Sequence, residues 1–182
     1  MSLQFVTTNP GKVREATEYL AEFFDVEQYD YDYAEVQSDD LAEIAARGAE
    51  EAFAAAGGDD PVIVDDAGLF IDDLDGFPGP YSSYVEDTLG IERVWRLAEP
   101  LADRSAAFRC TVAYADGETV ETFDGEIPGE VVAPRGDGGF GYDPIFEHDG
   151  ETFAEMGTER KNDLSHRGRA LAKLADWLAE RA

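Results

Sequence analysis

Apolar positions recur at two different periods along this chain. A short run, Leu3 to Thr7, predicts a strand, and Asn9-Pro10-Gly11 predicts a turn after it. Val13, Ala16, Leu20 and Phe23 then fall on one face at helical spacing. Pro10 and Gly11 suit the first turn of that helix, and Thr8 or Asn9 suits its cap. A second helix is predicted over 40–56, with Leu41, Ile44, Ala45, Ala49, Ala52 and Phe53 as its stripe and Gly57-Gly58 as its stop. Residues 61–64 read as a short buried strand that runs into Asp65-Asp66, and 68–81 as a further strand ending in a Gly/Pro-rich loop. A short helix is predicted at 91–98. Residues 106–115 and 118–127 alternate with period two around Asp116-Gly117, a strong hairpin signal. The last helix starts near Ser165 and turns Leu171, Leu174 and Leu178 inward. Helices and strands that alternate early, a late hairpin and a closing helix predict an α/β fold with a mixed sheet. The 182 residues contain no repeat or linker, so one domain over 1–182 is expected.

Charge narrows the function. The chain holds 41 acidic against 14 basic residues, a net charge of −27. A generic nucleic-acid binder or an anionic-membrane binder needs broad basic surface, so both are excluded as partners. Disorder is excluded too, because 43% of residues are hydrophobic, 12% are aromatic, and the apolar positions are periodic. Only three basic residues are lysines: Lys12, Lys161 and Lys173. Acid-rich, lysine-poor and folded is the composition expected of a cytoplasmic protein from a salt-loaded cell, with an acidic protein from a low-salt cell as the alternative. The single cysteine, Cys110, excludes an intramolecular disulfide and a multi-Cys zinc site, and its strand-like setting predicts a buried structural thiol. His148 and His166 are too few for a His-based cluster, so a metal would be a hard cation held by carboxylates. No apolar run approaches the ~20 residues of a membrane span, and the first residues lack a signal-peptide pattern.

Four segments carry candidate chemistry. FVTTNPGK (5–12) is a strand, a turn and a helix start, where backbone N–H groups, Thr7, Thr8, Asn9 and Lys12 offer an anion site or an ordinary cap. The Walker A spacing is absent. VIVDDAG (62–68) places two carboxylates at the end of an apolar strand, as a Mg²⁺ site or as a solvated turn. Glu35 is a candidate third ligand. PRGDGGFGYDPIF (134–146) has four glycines between 136 and 141, with Phe140 and Tyr142 as faces for stacking a base and Asp143 as an acceptor, or else core aromatics beside a bulge. Residues 160–173 hold five basic residues against one acid. His166 and Arg167 there sit at a predicted helix N-terminus, where cations oppose the dipole and an anionic or acceptor-rich ligand would compensate. A solvated basic face is the alternative. A phosphate cradle, a carboxylate-held metal, an aromatic platform and local basic groups together suggest a nucleoside triphosphate.

Those segments, in this order and spacing, resemble the Ham1-like inosine/xanthosine triphosphate pyrophosphatases. The resemblance runs from FVTTNPGK through VIVDDAGL, GFPGPY and GFGYDPIF to TFAEM and KNDLSHRGRA, nearly the whole chain. It implies a mixed central sheet flanked by helices, in two lobes with the active-site cleft between them. It implies hydrolysis of ITP, dITP or XTP to the monophosphate and diphosphate, with Mg²⁺, by a homodimer. By position, Thr7, Thr8, Asn9, Pro10, Gly11 and Lys12 would bind phosphates. Glu35 and Asp66 would hold the metal, and Asp66 would also take the proton of the attacking water. Phe140, Gly141, Tyr142 and Asp143 would form the nucleoside pocket, with Lys161, His166 and Arg167 completing it. Lys12 and Lys161 would stabilise the departing diphosphate. Arg167 and His166 as donors would favour a 6-oxo purine over a 6-amino one.

Two positions depart from the pattern. Many members carry Ser or Thr where this chain has Ala67, so a substrate contact there is through backbone. Many carry Lys or Arg just after the tyrosine of the PG-x-Y loop, where Tyr81 is followed here by Ser82, Ser83 and Tyr84. A Maf-like pyrophosphatase and a non-enzymatic nucleotide or Mg²⁺ binder are the rivals. GFGYDPIF and SHR speak against the first, and diphosphate release separates the second.

Overall fold

In the computed structural model, which describes residues 2–157, 160–161 and 164–181, β1 (Ser2–Val6) pairs in parallel with two strands. One is β2 (Asp25–Tyr29), in register Ser2 to Asp25, and the other is β3 (Val62–Ile71), in register Gln4 to Val62. Parallel neighbours need a crossover, and α1 (Pro10–Leu20) and α2 (Leu41–Ala55) lie in the two connections. Asn9 caps α1, and Asp40 caps α2 by accepting from the Ala42 N–H at 2.9 Å. Then follow α3 (Ser82–Thr88), α4 (Ile91–Ala98), β4 (Ser105–Ala115), β5 (Val120–Val131), β6 (Phe146–His148), β7 (Glu151–Thr152) and α5 (His166–Ala179). The seven strands form one mixed sheet in the order β2-β1-β3-β4-β5-β6-β7, antiparallel at β5/β6 and β6/β7.

The chain packs as two compact units. The first comprises Met1–Asp66, Cys110–Gly125 and Arg167–Ala182. Its core includes Val6, Val62, Val64 and Ala113 with Ala45, Ala49 and Ala52 of α2. The second comprises Ala67–Arg109 and Glu126–His166. Leu69, Ile71, Val94, Phe108, Ile127, Phe146 and Phe153 are buried there, each contributing roughly 1.5–3 kcal/mol for an apolar side chain of that size.

The predicted hairpin forms, with Asp116 Oδ1 accepting from the Glu118 and Thr119 N–H groups in the turn. Cys110 is buried, and burial pushes its thiol well above the usual range. The helix predicted from Val13 to Phe23 stops at Leu20, whose carbonyl accepts from both the Phe23 and Phe24 N–H groups. β2 escaped the pattern because only Val26 in it is buried. A larger difference concerns residues 62–71. Two strands were expected, with the acids at the end of the first. β3 instead runs unbroken through Asp65-Asp66. Gly68 lets it continue past the loop below, since a Cβ there would lie 2.0 Å from the Gly79 carbonyl oxygen.

Candidate active site

The turn after β1 is already well bonded. Asn9 Oδ1 accepts from the Gly11 N–H at 2.8 Å, Thr7 Oγ1 accepts from the Asn9 N–H at 3.1 Å, and the Asn9 carbonyl accepts from the Lys12 N–H at 3.1 Å. Those three donors serve the cap, and the Lys12 ammonium is the charged group of this turn. Lys12 Nζ donates to Asp65 Oδ1 at 2.9 Å. Arg167, from the first turn of α5, donates from Nε to Asp65 Oδ2 at 2.6 Å and from Nη1 to Glu15 Oε2 at 3.2 Å. The Asp65 side chain is only 1% exposed. Burial alone would raise its pKa, but the charges and hydrogen bonds of Lys12 and Arg167 outweigh burial and hold the carboxyl well below the usual range. Burial likewise opposes the charge on Arg167, and Asp65 leads the groups that reverse this and raise its pKa. The unfavourable placement of a cation at a helix N-terminus is therefore compensated inside the chain, by Asp65 and Glu15.

Successive strand residues face opposite sides, so Asp65 and Asp66 do different work. Asp66 acts instead in the neighbourhood of Tyr33 and Glu35. The Tyr33 phenol is pushed far above its usual value, first by burial, then by the charges of Asp66, Glu35 and Asp65. Gly48 on α2 gives that ring its room, since a Cβ there would lie 2.7 Å from Tyr33 Cε2. The carboxylates of Asp66 and Glu35 are oxygen donors, the chemistry that a hard cation takes. Among the described residues no three His, Cys, Asp or Glu side chains are grouped to hold a metal. That donor set still fits Mg²⁺, which is commonly held by one or two carboxylates plus substrate phosphates.

A second cluster is built on the segment 139–146. Asp143 is buried, accepts from the Phe140 N–H at 2.7 Å and pairs with Lys161 Nζ at 2.5 Å. Lys161 Nζ also stands 4.5 Å from the Phe140 ring centroid. Gly139, at φ +71°, allows this fold-back, because a Cβ would lie 2.1 Å from Asp143 Oδ2. Phe140 is 70% exposed, and its ring is an open platform beside Lys161 among the described residues. Tyr142 is different. It is 4% exposed, belongs to the core and donates its hydroxyl to the Ser82 carbonyl at 2.8 Å. The two expected stacking faces thus reduce to one. Gly141 adjoins Glu86 of α3, whose carboxyl is raised by burial and then by Asp87 and Asp143. The His166 ring stacks on Phe108, centroids 5.3 Å apart.

Both departures have structural settings. Ala67 lies within β3, extended beside Asp66. Ser82 is buried, donates to the Gly79 carbonyl at 2.7 Å and accepts from the Leu69 N–H at 2.8 Å. Thr8, Pro10 and Glu35 are exposed, each on an irregular segment or helix start. Of the KNDLSHR motif, Asn162 and Asp163 lie outside the described residues. Glu15, Tyr33 and Phe108 are the participants that pattern reading missed, and Asp65, read as one of a metal-holding pair, serves Lys12 and Arg167 instead. A signal for Asp65 existed: a carboxylate flanked on both sides by buried apolar strand must find a cation.

Against known proteins, the family model described as the Ham1 family matches residues 3–177. A dITP/XTP pyrophosphatase of Thermococcus kodakarensis is 47% identical over 184 residues, covering 99% of this chain and 98% of its own. One of Methanopyrus kandleri is 50% identical over 182 residues, covering 97% and 96%. Among solved structures, the Staphylococcus aureus Ham1 protein superposes with a TM-score of 0.89 at 29% identity over the full length of both chains. A HAM1 protein from Coxiella burnetii gives 0.87 at 32% identity, covering 99% of each.

Proposed function

The chain belongs to the Ham1 family, and from that premise we propose that it is a nucleoside triphosphate pyrophosphatase. It hydrolyses noncanonical purine nucleoside triphosphates (ITP, dITP and XTP) to the monophosphate and diphosphate, which removes them from the nucleotide pool. The observation that carries this reading is the near-full-length identity, 47–50%, to dITP/XTP pyrophosphatases.

Water attacks the α-phosphorus, the bond to the bridging oxygen breaks, and diphosphate leaves with the electron pair. Asp66 accepts the proton of that water, a role open to a carboxylate within hydrogen-bond reach. Glu35 and Asp66 would hold Mg²⁺, which when bound supplies charge neutralisation and polarises phosphoryl oxygens. Lys12 binds the triphosphate beside the cap residues Thr7, Thr8, Asn9, Pro10 and Gly11, with a backbone contact from Ala67. Lys161 leaves Asp143 for the leaving group, and Phe140 stacks the base. Gly141, Tyr142 and Asp143 shape the nucleoside pocket, Tyr142 through its backbone. His166 and Arg167 offer donors to the 6-oxo group, and a 6-amino group in that place leaves buried donors unpaired.

We further infer a single functional domain, a homodimer, and a cytoplasmic setting rich in salt. The net charge of −27 and the three lysines support the last. No helix among the described residues is long and apolar enough to cross a membrane. A diphosphate-release screen across ITP, XTP, dITP, GTP, ATP and pyrimidine triphosphates, with Mg²⁺ at high and low salt, tests the reading. Release from ITP, dITP and XTP above the rest is expected. Binding without release would leave a nucleotide-binding protein in place of an enzyme.

A further inference from the structure

We propose that Asp65 is a positioning residue for the reaction: its carboxylate fixes the Lys12 ammonium and the Arg167 guanidinium in place for the substrate, without touching the substrate itself. This rests on the reading above that Lys12 and Arg167 bind the nucleotide.

The geometry points there first. Each Asp65 oxygen serves one cation, Oδ1 to Lys12 and Oδ2 to Arg167. The partners lie 53 and 102 residues away in sequence, so one carboxylate ties the first turns of α1 and α5 to β3. Exposure is graded in the same sense. The Asp65 side chain is 1% exposed, Arg167 13% and Lys12 27%. The carboxylate lies beneath, and the surface left for a ligand belongs to the cations.

Stability alone does not account for this arrangement. A buried ion cluster is often matched or bettered by apolar residues of similar volume, because desolvation offsets the Coulombic gain. Placement does account for it. Two like charges close together repel, and a carboxylate between them removes that repulsion while fixing both orientations. Without it, Arg167 keeps Glu15 as an anchor, at 3.2 Å. Lys12 then loses the carboxylate that holds its long flexible stem. Cations that act on developing charge must be placed in advance, and an error of about 1 Å costs roughly 100-fold.

The test is a double-mutant cycle on ITP hydrolysis. Asp65→Asn keeps the side-chain size and is expected to lower kcat/KM by ~100-fold, with most of the loss in kcat. A group that acts through others loses its effect when they are gone. Added to Lys12→Ala or to Arg167→Ala, Asp65→Asn should therefore cost ~10-fold or less. Near-UV circular dichroism and the thermal midpoint of each variant report the fold separately. Should Asp65→Asn fail to fold, Asp65→Glu keeps the charge, moves the carboxylate by one methylene, and should lose kcat while staying folded. Equal loss in all three backgrounds, with the fold intact, overturns the positioning role alone. So does an Asp65→Asn enzyme within twofold of the parent. If Lys12→Ala and Arg167→Ala each leave kcat/KM unchanged, the substrate-site reading falls and takes this role with it.

Discussion

Each unit of the molecule contains a buried aspartate paired with a cation from a distant segment, but the two pairs are built differently. Asp65 in the first unit holds Lys12 and Arg167 at once, and Glu15 holds Arg167 from its other end. Asp143 in the second holds Lys161 and a backbone N–H, and the Lys161 ammonium divides itself between that carboxylate and the exposed Phe140 ring. The first is a closed network in which every charge has a fixed partner. The second, among the described residues, is a single ion pair beside an open aromatic face. A network with every cation held presents its charge in a preset arrangement. A cation shared between a carboxylate and a ring keeps one side open to exchange.

The largest break in this comparison comes from the carboxylate that belongs to neither cluster. Asp66→Asn should lower kcat for ITP by about 10³-fold and leave the thermal midpoint near that of the parent. Activity within tenfold would remove Asp66 as proton acceptor. Exchanging one cation in each cluster comes next. Arg167→Ala should narrow the ITP-over-ATP preference by about tenfold or more, measured as the ratio of kcat/KM values. Lys161→Ala should slow both substrates together. A Lys161→Ala enzyme that narrows the preference while Arg167→Ala does not would reverse the assignment of base and phosphate contacts.

Acid separates wild type from Asp65→Asn in stability. The Asp65 carboxyl is depressed in the folded protein, so its contribution is complete above its unfolded value of about 3.9. The contribution is lost as pH falls from there through the lower folded value. Urea midpoints of the two proteins should differ at pH 6 and converge in strong acid. A constant difference across that range would mean Asp65 is not ionised in the fold. Salt should act broadly. At 1 M the Debye length is about 3 Å, so repulsion among the surface acids and toward the nucleotide is screened, whereas contacts inside the closed cluster persist. Structure or activity should decline in dilute buffer, and full activity there would count against the salt-adapted reading. The smallest effect concerns Cys110. Burial raises its thiol, so a disulfide exchange reagent at neutral pH should leave it unmodified until denaturant is added.

How much of this was legible beforehand follows from the kind of signal each part leaves. The cap of α1 was readable because Asn9 acts within two residues of itself. The hairpin was readable for the same reason, since Asp116 bonds its own turn. The core stripe of α2 followed from helical spacing. β3 was split in reading because two adjacent acids look like a strand end. The cations that permit a buried acid there come from residues 12 and 167, and no local window contains them. The Tyr142 ring stayed open between a stacking face and a core aromatic because aromatics in a Gly-rich segment look alike in sequence, while the core and the Ser82 carbonyl choose between them. Tyr33 left no trace at all, because its surroundings are assembled from α2 and β3.

The first unit is also assembled from three stretches of chain, and α5 is the last of them. On the ribosome, Asp65 emerges with Lys12 already made, but Arg167 follows 102 residues later. At 5–20 residues per second that is a wait of roughly 5–20 s. Through that interval the buried carboxylate has one of its two counter-charges. The cluster thus reaches its native charge balance only once the first turn of α5 has been made.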